Sequence, residues 1–159
     1  IDLAMIDTYD KLLKDVELYI LKHAKAHDAN TLYLLQTIPG VGKILALVML
    51  YEIHDIGRFP LVQDFSSYCR LIRPGKESNG KNTGKGNKKI GNPHLKWAMS
   101  EATVLFIRQS DRAKKLHQKL VKKNKEGKAL GILSNKLGRA IYYMLKNKKA
   151  FDMDKFFGN

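Results

Sequence analysis

Apolar residues near the start of the chain recur at three-four spacing through Ile6, Tyr9, Leu13, Val16, Ile20 and His23, with Leu12 and Tyr19 widening the stripe. That pattern predicts a long amphipathic helix whose seam has heptad character. The stripe stops across residues 26–30, where Asp28 or Asn30 is suited to cap a following helix. A short apolar helix is then expected over residues 31–38. After Pro39-Gly40-Val41-Gly42 a second one is expected over residues 43–54. Pro60 fits the first turn of a further helix ending near Cys69, with Phe65 and Tyr68 facing inward.

Residues 73–93 lose the apolar pattern almost entirely; Gly, Asn and Lys dominate and Ile90 stands nearly alone. A stretch of this length without a pattern reads as a functional or mobile loop. Helical spacing resumes after His94 with Leu95, Ala98, Met99, Ala102, Leu105 and Phe106, and Trp97 lies beside that stripe. Residues 112–128 are rich in Lys, with Leu116, Leu120 and Val121 as apolar anchors. A last helix over residues 129–148 carries Leu130, Leu133, Leu137, Ile141, Met144 and Leu145. No apolar alternation with period two stands out, so the expected fold is all-α. Its parts are an N-terminal long helix with a coiled-coil seam (1–27) and a helical domain (28–159). The latter holds a helix-hairpin-helix element and the long basic Gly/Lys/Asn loop.

Charge narrows the partners. The 159 residues carry 29 Lys+Arg against 15 Asp+Glu, a net charge of +14. Such an excess draws polyanions and speeds encounter with them, so nucleic acid is the first partner to consider. No apolar run approaches the roughly 20 residues that span a bilayer, and the basic residues fall mostly in loops, which argues against a membrane partner. The chain opens on Ile1 inside a helical pattern, without a signal peptide, and reads as part of a longer cytoplasmic protein. Lone Cys69 excludes an internal disulfide and a zinc site built on thiolate pairs. The five His residues show no ligand spacing, so no metal site is expected.

Two segments carry candidate chemistry. Ile38-Pro39-Gly40-Val41-Gly42 between apolar helices resembles the turn with which helix-hairpin-helix modules grip a phosphate through unpaired N–H groups. Gly40, Gly42 and Lys43 would form that contact; a plain helix-helix turn is the alternative. The second is the basic loop, where Arg73, Lys76, Lys81, Lys85, Lys88 and Lys89, with Lys96 beyond it, outweigh Glu77. Binding through it would weaken steeply with salt. On composition alone Ser78 is a turn residue with no nearby base. Glu52, Asp55 and Asp64 do not assemble the converging acidic groups of a two-metal site.

The order of these motifs resembles a known family. The run Ile38-Pro39-Gly40-Val41-Gly42, Arg58-Phe59, Tyr68-Cys69-Arg70-Leu71 and Glu77-Ser78-Asn79-Gly80-Lys81 leads to Lys89-Ile90-Gly91-Asn92-Pro93-His94-Leu95-Lys96-Trp97. It is similar to the C-terminal transposase domain of bacterial insertion-sequence transposases that also have an N-terminal RuvC-like DEDD domain and a coiled coil. Ala140-Ile141-Tyr142-Tyr143-Met144-Leu145 and Phe151-Asp152-Met153-Asp154-Lys155-Phe156 resemble that domain's end. The resemblance implies that Ser78 is the nucleophile for DNA strand cleavage and exchange through a covalent serine–DNA intermediate. It implies Mg²⁺ held by the DEDD carboxylates, a composite site in a homo-oligomer, and a bridge RNA that pairs with DNA. Two departures stand out: Asn79 follows Ser78 where many relatives have Gly, and Arg70 stands where many have Gly. Two other readings remain open. In one the chain is a non-catalytic helix-hairpin-helix nucleic-acid-binding module. In the other, disfavoured because Tyr142 and Tyr143 read as core, a tyrosine attacks.

Overall fold

The computed structural model describes residues 2–72 and 90–158 in full, and the backbone of residues 75–78 and 81–85. Among the described residues the fold is all-α apart from one short hairpin. In order the elements are α1 (Asp2–Gln36), α2 (Lys43–Ile53), a 3-10 turn (Ile56–Arg58), α3 (Val62–Tyr68), β1 (Gly75–Ser78) and β2 (Lys81–Lys85). They continue with α4 (Pro93–Gln109), α5 (Asp111–Lys123), α6 (Glu126–Lys146) and α7 (Met153–Phe157).

The break expected after the first seam falls at Asp28, whose φ of −155° and ψ of 81° are not helical. Its carboxylate accepts the N–H of Thr31 at 2.9 Å, the N-cap bond that restarts the helix. Before this break α1 stands largely in solvent. Tyr9 is 60% exposed and Leu13 59%, whereas Leu32 and Leu35 beyond it are fully buried. The apolar seam read from the sequence is therefore not used by this chain's own core.

That core is one cluster. α4 lies at its centre, with Leu95, Ala98, Met99, Ala102 and Phe106 fully buried, and packs against α2, α5 and α6. Its N-cap is Asn92, whose side chain accepts from Leu95 N–H at 3.0 Å, and Pro93 fills the first helical position where no donor is needed. α6 contributes Leu133, Leu137 and Ile141 to the same cluster, and α7 folds back so that Phe156 meets Phe106 edge-on at 5.2 Å. Trp97, by contrast, is 49% exposed.

The stretch read from the sequence as a patternless loop contains β1 and β2. They pair antiparallel with Gly75 opposite Lys85, Lys76 opposite Gly84, Glu77 opposite Asn82 and Ser78 opposite Lys81. A register shift between Lys76 and Glu77 leaves Thr83 between partners, a bulge. Period-two reasoning looks for a buried apolar face, and neither strand has one.

Candidate functional site

The hairpin springs from a clasp between the end of α3 and the start of α4. At the end of α3, Arg70 N–H donates to Ser67 O and Leu71 N–H to Ser66 O, both at 2.9 Å. This is the paired-bond C-cap that turns a chain out of a helix through a left-handed residue. Glycine usually fills that position; here it is Arg70, at φ +54°. Twenty-one residues later the chain returns to meet it. Arg70 donates from Nε and Nη2 to Gly91 O at 3.0 and 2.8 Å, and Asn92 N–H donates to Tyr68 O at 2.7 Å. Gly91 lies at φ +100°, and a Cβ there would stand 2.6 Å from Tyr68 O. Only glycine lets the returning strand come this close.

Asn92 ties the clasp to the core. While Oδ1 caps α4, Nδ2 donates to Glu52 Oε2 at 2.6 Å and lies 3.3 Å from Tyr68 Oη. The Arg58 guanidinium sits over the rings of Phe59 and Tyr68, 4.8 and 4.6 Å from their centroids. Beside the clasp opens a concavity of about 660 Å³, lined by Asp64, Ser67, Tyr68, Ile90 and His94 among others. Glu52, Tyr68, Arg70, Gly91 and Asn92 thus set the hairpin's root. The sequence places Arg70 and Asn92 within motifs of the resemblance, Arg70 also as a departure, but gives neither of them this contact.

Ser78 lies at the far end of β1, paired with Lys81. Lys76, Lys81 and Lys85 have strand positions on the same ribbon, with side chains outside the described residues, and Arg73, Lys88 and Lys89 lie wholly outside them. Lys96 is half-buried in the second turn of α4, and the clasp holds that turn next to the hairpin's root.

The two glycines of the other motif have different surroundings. Gly40, at φ +89°, faces α4 so closely that a Cβ would meet Leu105 C and Phe106 N at 2.7 Å. Close packing alone accounts for it. Gly42 has open space, extended geometry and the N-cap position of α2 without any capping side chain. The first N–H groups of α2 therefore have no side-chain cap, and exposed Lys43 stands beside them, with no acidic residue in the first turn.

Carboxylates near the clasp are engaged locally. Glu52 holds Asn92, Asp55 accepts Gly57 N–H at 2.8 Å, and Asp64 accepts Leu61 N–H at 3.1 Å. Among the described residues no group of three or more His, Cys, Asp or Glu is placed to hold a metal. Asp28, away from the clasp, shows opposed influences. Burial pushes its pKa up, but the bonds from Thr31, the charge of His27 and the N–H of Asn30 outweigh it, so the carboxyl is held below its usual range.

Positive charge is spread along α5, where Lys114, Lys115, Lys119, Lys122 and Lys123 are all exposed and Ala113 is buried. Among the described residues the one ion pair is Arg112–Asp154 at 2.6 Å, so these lysines are available to an external anion. The two tyrosines of α6 part company. Tyr142 is buried with its hydroxyl 3.0 Å from both Phe59 O and Pro60 O, as a core residue should be. Tyr143 is 47% exposed, which corrects its reading as core.

A family model described as Transposase IS116/IS110/IS902 matches residues 32–118, more than half of the chain. The span opens just after the Asp28 break, takes in the glycine turn, clasp and hairpin, and closes inside α5. No curated protein matches the chain.

Proposed function

Since the chain belongs to the IS116/IS110/IS902 transposase family, we propose that within DNA transposition it supplies the nucleophile, Ser78. The Ser78 oxygen attacks the phosphorus of a DNA phosphodiester while its proton passes to a base. One P–O bond to deoxyribose breaks and that sugar leaves as a hydroxyl. A hydroxyl from another strand then attacks the serine phosphodiester, joins the new strand and restores the serine.

The observation that carries this reading is the register. Ser78 and Lys81 are the last paired residues of a hairpin rooted by Arg70 and Gly91. A serine at the end of a short basic ribbon, on a clasped root, supports a role at a phosphate backbone. Lys76, Lys81 and Lys85 share the ribbon and, with Arg73, Lys88, Lys89 and Lys96, would neutralise phosphates around the reacting one. The uncapped start of α2, with Gly42 and Lys43, offers a second backbone contact.

The Mg²⁺ implied by the resemblance does not fit the described residues of this chain. Its carboxylates near the hairpin root are bonded to Asn92, Gly57 and Leu61 and do not converge. Its ligands are assigned to the RuvC-like DEDD domain that the resemblance implies, and this chain alone is expected to bind DNA without cutting it. The exposed seam of α1, with Tyr9 and Leu13, favours pairing with a second copy. The basic face of α5 is available to a structured guide RNA or to DNA. No helix among the described residues is long and apolar enough to cross a membrane.

The test uses the complete transposase with its RNA, Mg²⁺ and DNA trapped during strand exchange. A peptide containing Ser78 should carry DNA covalently, and Ser78→Ala should abolish both the adduct and recombination. Recombination that survives Ser78→Ala would leave a non-catalytic nucleic-acid-binding module.

A further inference from the structure

A second hollow lies where α6 ends and the chain doubles back into α7. Its volume is about 570 Å³, within the roughly 300–1,000 Å³ typical of small-ligand sites. Phe151 and Phe156 give it an apolar lining, and half-exposed Tyr143 offers a ring within it. Lys136, Arg139, Lys149 and Lys155 also line it. None of the four has an ion-pair partner among the described residues. The single carboxylate in the lining, Asp152, is occupied at Oδ1, which accepts the N–H groups of Asp154 and Lys155 at 2.9 and 3.0 Å. Lys136 Nζ lies 5.0 Å from the centroid of the Phe156 ring. Asn147 adds a side-chain amide able both to donate and to accept.

This combination selects its guest. Four cations repel a cationic ligand, and a purely apolar one would leave them without counter-charge. An anion joined to a flat ring satisfies both the rim and the lining, and a nucleotide has those two parts. A base inside a duplex is already stacked and paired and has no face to offer. The guest must therefore be unpaired.

We propose that the hollow between α6 and α7 binds one unpaired nucleotide of a nucleic-acid strand, its base stacked on Tyr143 and its phosphate held by Arg139 and Lys149. The inference rests on the nucleic-acid reading of the chain but concerns side chains of α6 and α7 rather than those of the hairpin. It gives the domain a way to favour a melted or looped-out strand over a duplex, while the lysines of α5 hold backbone of either kind.

The experiment is a fluorescence-anisotropy titration of the 159-residue chain with a short labelled single strand and with the duplex of the same sequence, in DNA and in RNA versions. Tyr143→Ala should weaken single-strand binding on the order of tenfold and leave duplex binding unchanged. Tyr143→Phe, which keeps the ring, should bind like the parent. Lys149→Gln, at an exposed position where folding is not at stake, should lower the single-strand to duplex affinity ratio. Preference for the DNA or the RNA strand identifies which supplies the nucleotide. Single-strand binding unchanged in Tyr143→Ala, or equal losses on strand and duplex in both Tyr143→Ala and Lys149→Gln, would overturn the pocket while leaving the basic surface intact. A parent chain that binds neither form would overturn the nucleic-acid reading itself.

Discussion

Arg70 holds Gly91 across a gap of twenty-one residues, with two guanidinium nitrogens on one carbonyl at 3.0 and 2.8 Å. The bond closes the base of the hairpin that bears Ser78, and it is made by a residue in the left-handed region, where a β-carbon is unfavourable. A glycine at position 70 would relieve the backbone but has no guanidinium with which to make the clasp. The arginine accepts the strain and closes the loop.

This opposition predicts an order of stabilities. Arg70→Ala loses the charge-assisted bonds, worth about 1.5–3 kcal/mol, and keeps the β-carbon penalty. Arg70→Gly loses the same bonds but sheds about 1 kcal/mol of that penalty. Denaturant titration should therefore rank the parent above Arg70→Gly, and Arg70→Gly above Arg70→Ala. Both variants should exchange the amide hydrogens of residues 75–85 faster. An Arg70→Ala variant as stable as Arg70→Gly would show that the left-handed geometry carries no penalty here.

The two glycines of the turn before α2 give a second contrast. Gly40→Ala puts a β-carbon 2.7 Å from backbone atoms of α4 and should cost about 2 kcal/mol or more. Gly42→Ser has room and the extended backbone of an N-cap. It should be neutral or add a few tenths of a kcal/mol to stability. Its hydroxyl would also occupy an N–H that a DNA phosphate needs. A Gly42→Ser chain that is at least as stable as the parent but binds DNA several-fold more weakly supports phosphate capture at α2. Unchanged binding would reduce the motif to a packing turn.

How far these features could be read from the sequence depends on what kind of signal each leaves. The helical core was legible because Leu95, Ala98, Met99, Ala102 and Phe106 repeat at helical spacing, and all are fully buried. The Asp28 break was legible because a capping residue interrupts a stripe. The hairpin did leave a trace, Asn79-Gly80, the pair most favoured in two-residue connections. Lys, Asn and Gly in the strands give no alternating face, so the segment reads as a loop, and Asn79 stands out only because many relatives of the family have Gly after the serine. The clasp left almost none, since neither a left-handed arginine nor a partner twenty-one residues away has a local signature. Tyr142 and Tyr143 are neighbours on one helix, and only the packing of Tyr142 against Phe59, Pro60 and Phe65 separates the buried ring from the exposed one.

Cys69 gives a prediction about pH. Burial pushes its thiol up to about 12, with the nearby Arg58 charge opposing. In the unfolded chain the thiol ionises near its ordinary value, so between the two values the unfolded state holds fewer protons and is favoured. The contribution to stability is whole below the unfolded value and declines as pH rises toward the folded one. Between about pH 9 and 11 the parent should lose stability faster than Cys69→Ala does, as followed by urea midpoints. A thiol-reactive chromogenic disulfide should label Cys69 at neutral pH only after unfolding. Asp28 has the opposite sign: its contribution is present above the ordinary carboxylate range and fades as pH falls through its lowered value.

Lys148 repeats the situation of Arg70 without its compensation. At the end of α6, Lys148 N–H donates to Leu145 O at 3.2 Å and Lys149 N–H to Met144 O at 3.1 Å, the same paired-bond cap, and Lys148 lies at φ +52°. Its side chain is exposed and forms no ion pair among the described residues. Lys148→Gly should therefore stabilise the chain by about 1 kcal/mol, a rise of roughly 2–4 °C in Tm for a chain of this size. The cap directs the chain from α6 toward Lys149 and Phe151, which line the hollow beside Tyr143. A stabilised cap with an unaltered single-strand affinity would show that Lys148 shapes the turn without holding the nucleotide. A loss of single-strand affinity despite the gain in Tm would instead add its ammonium to the cations that do.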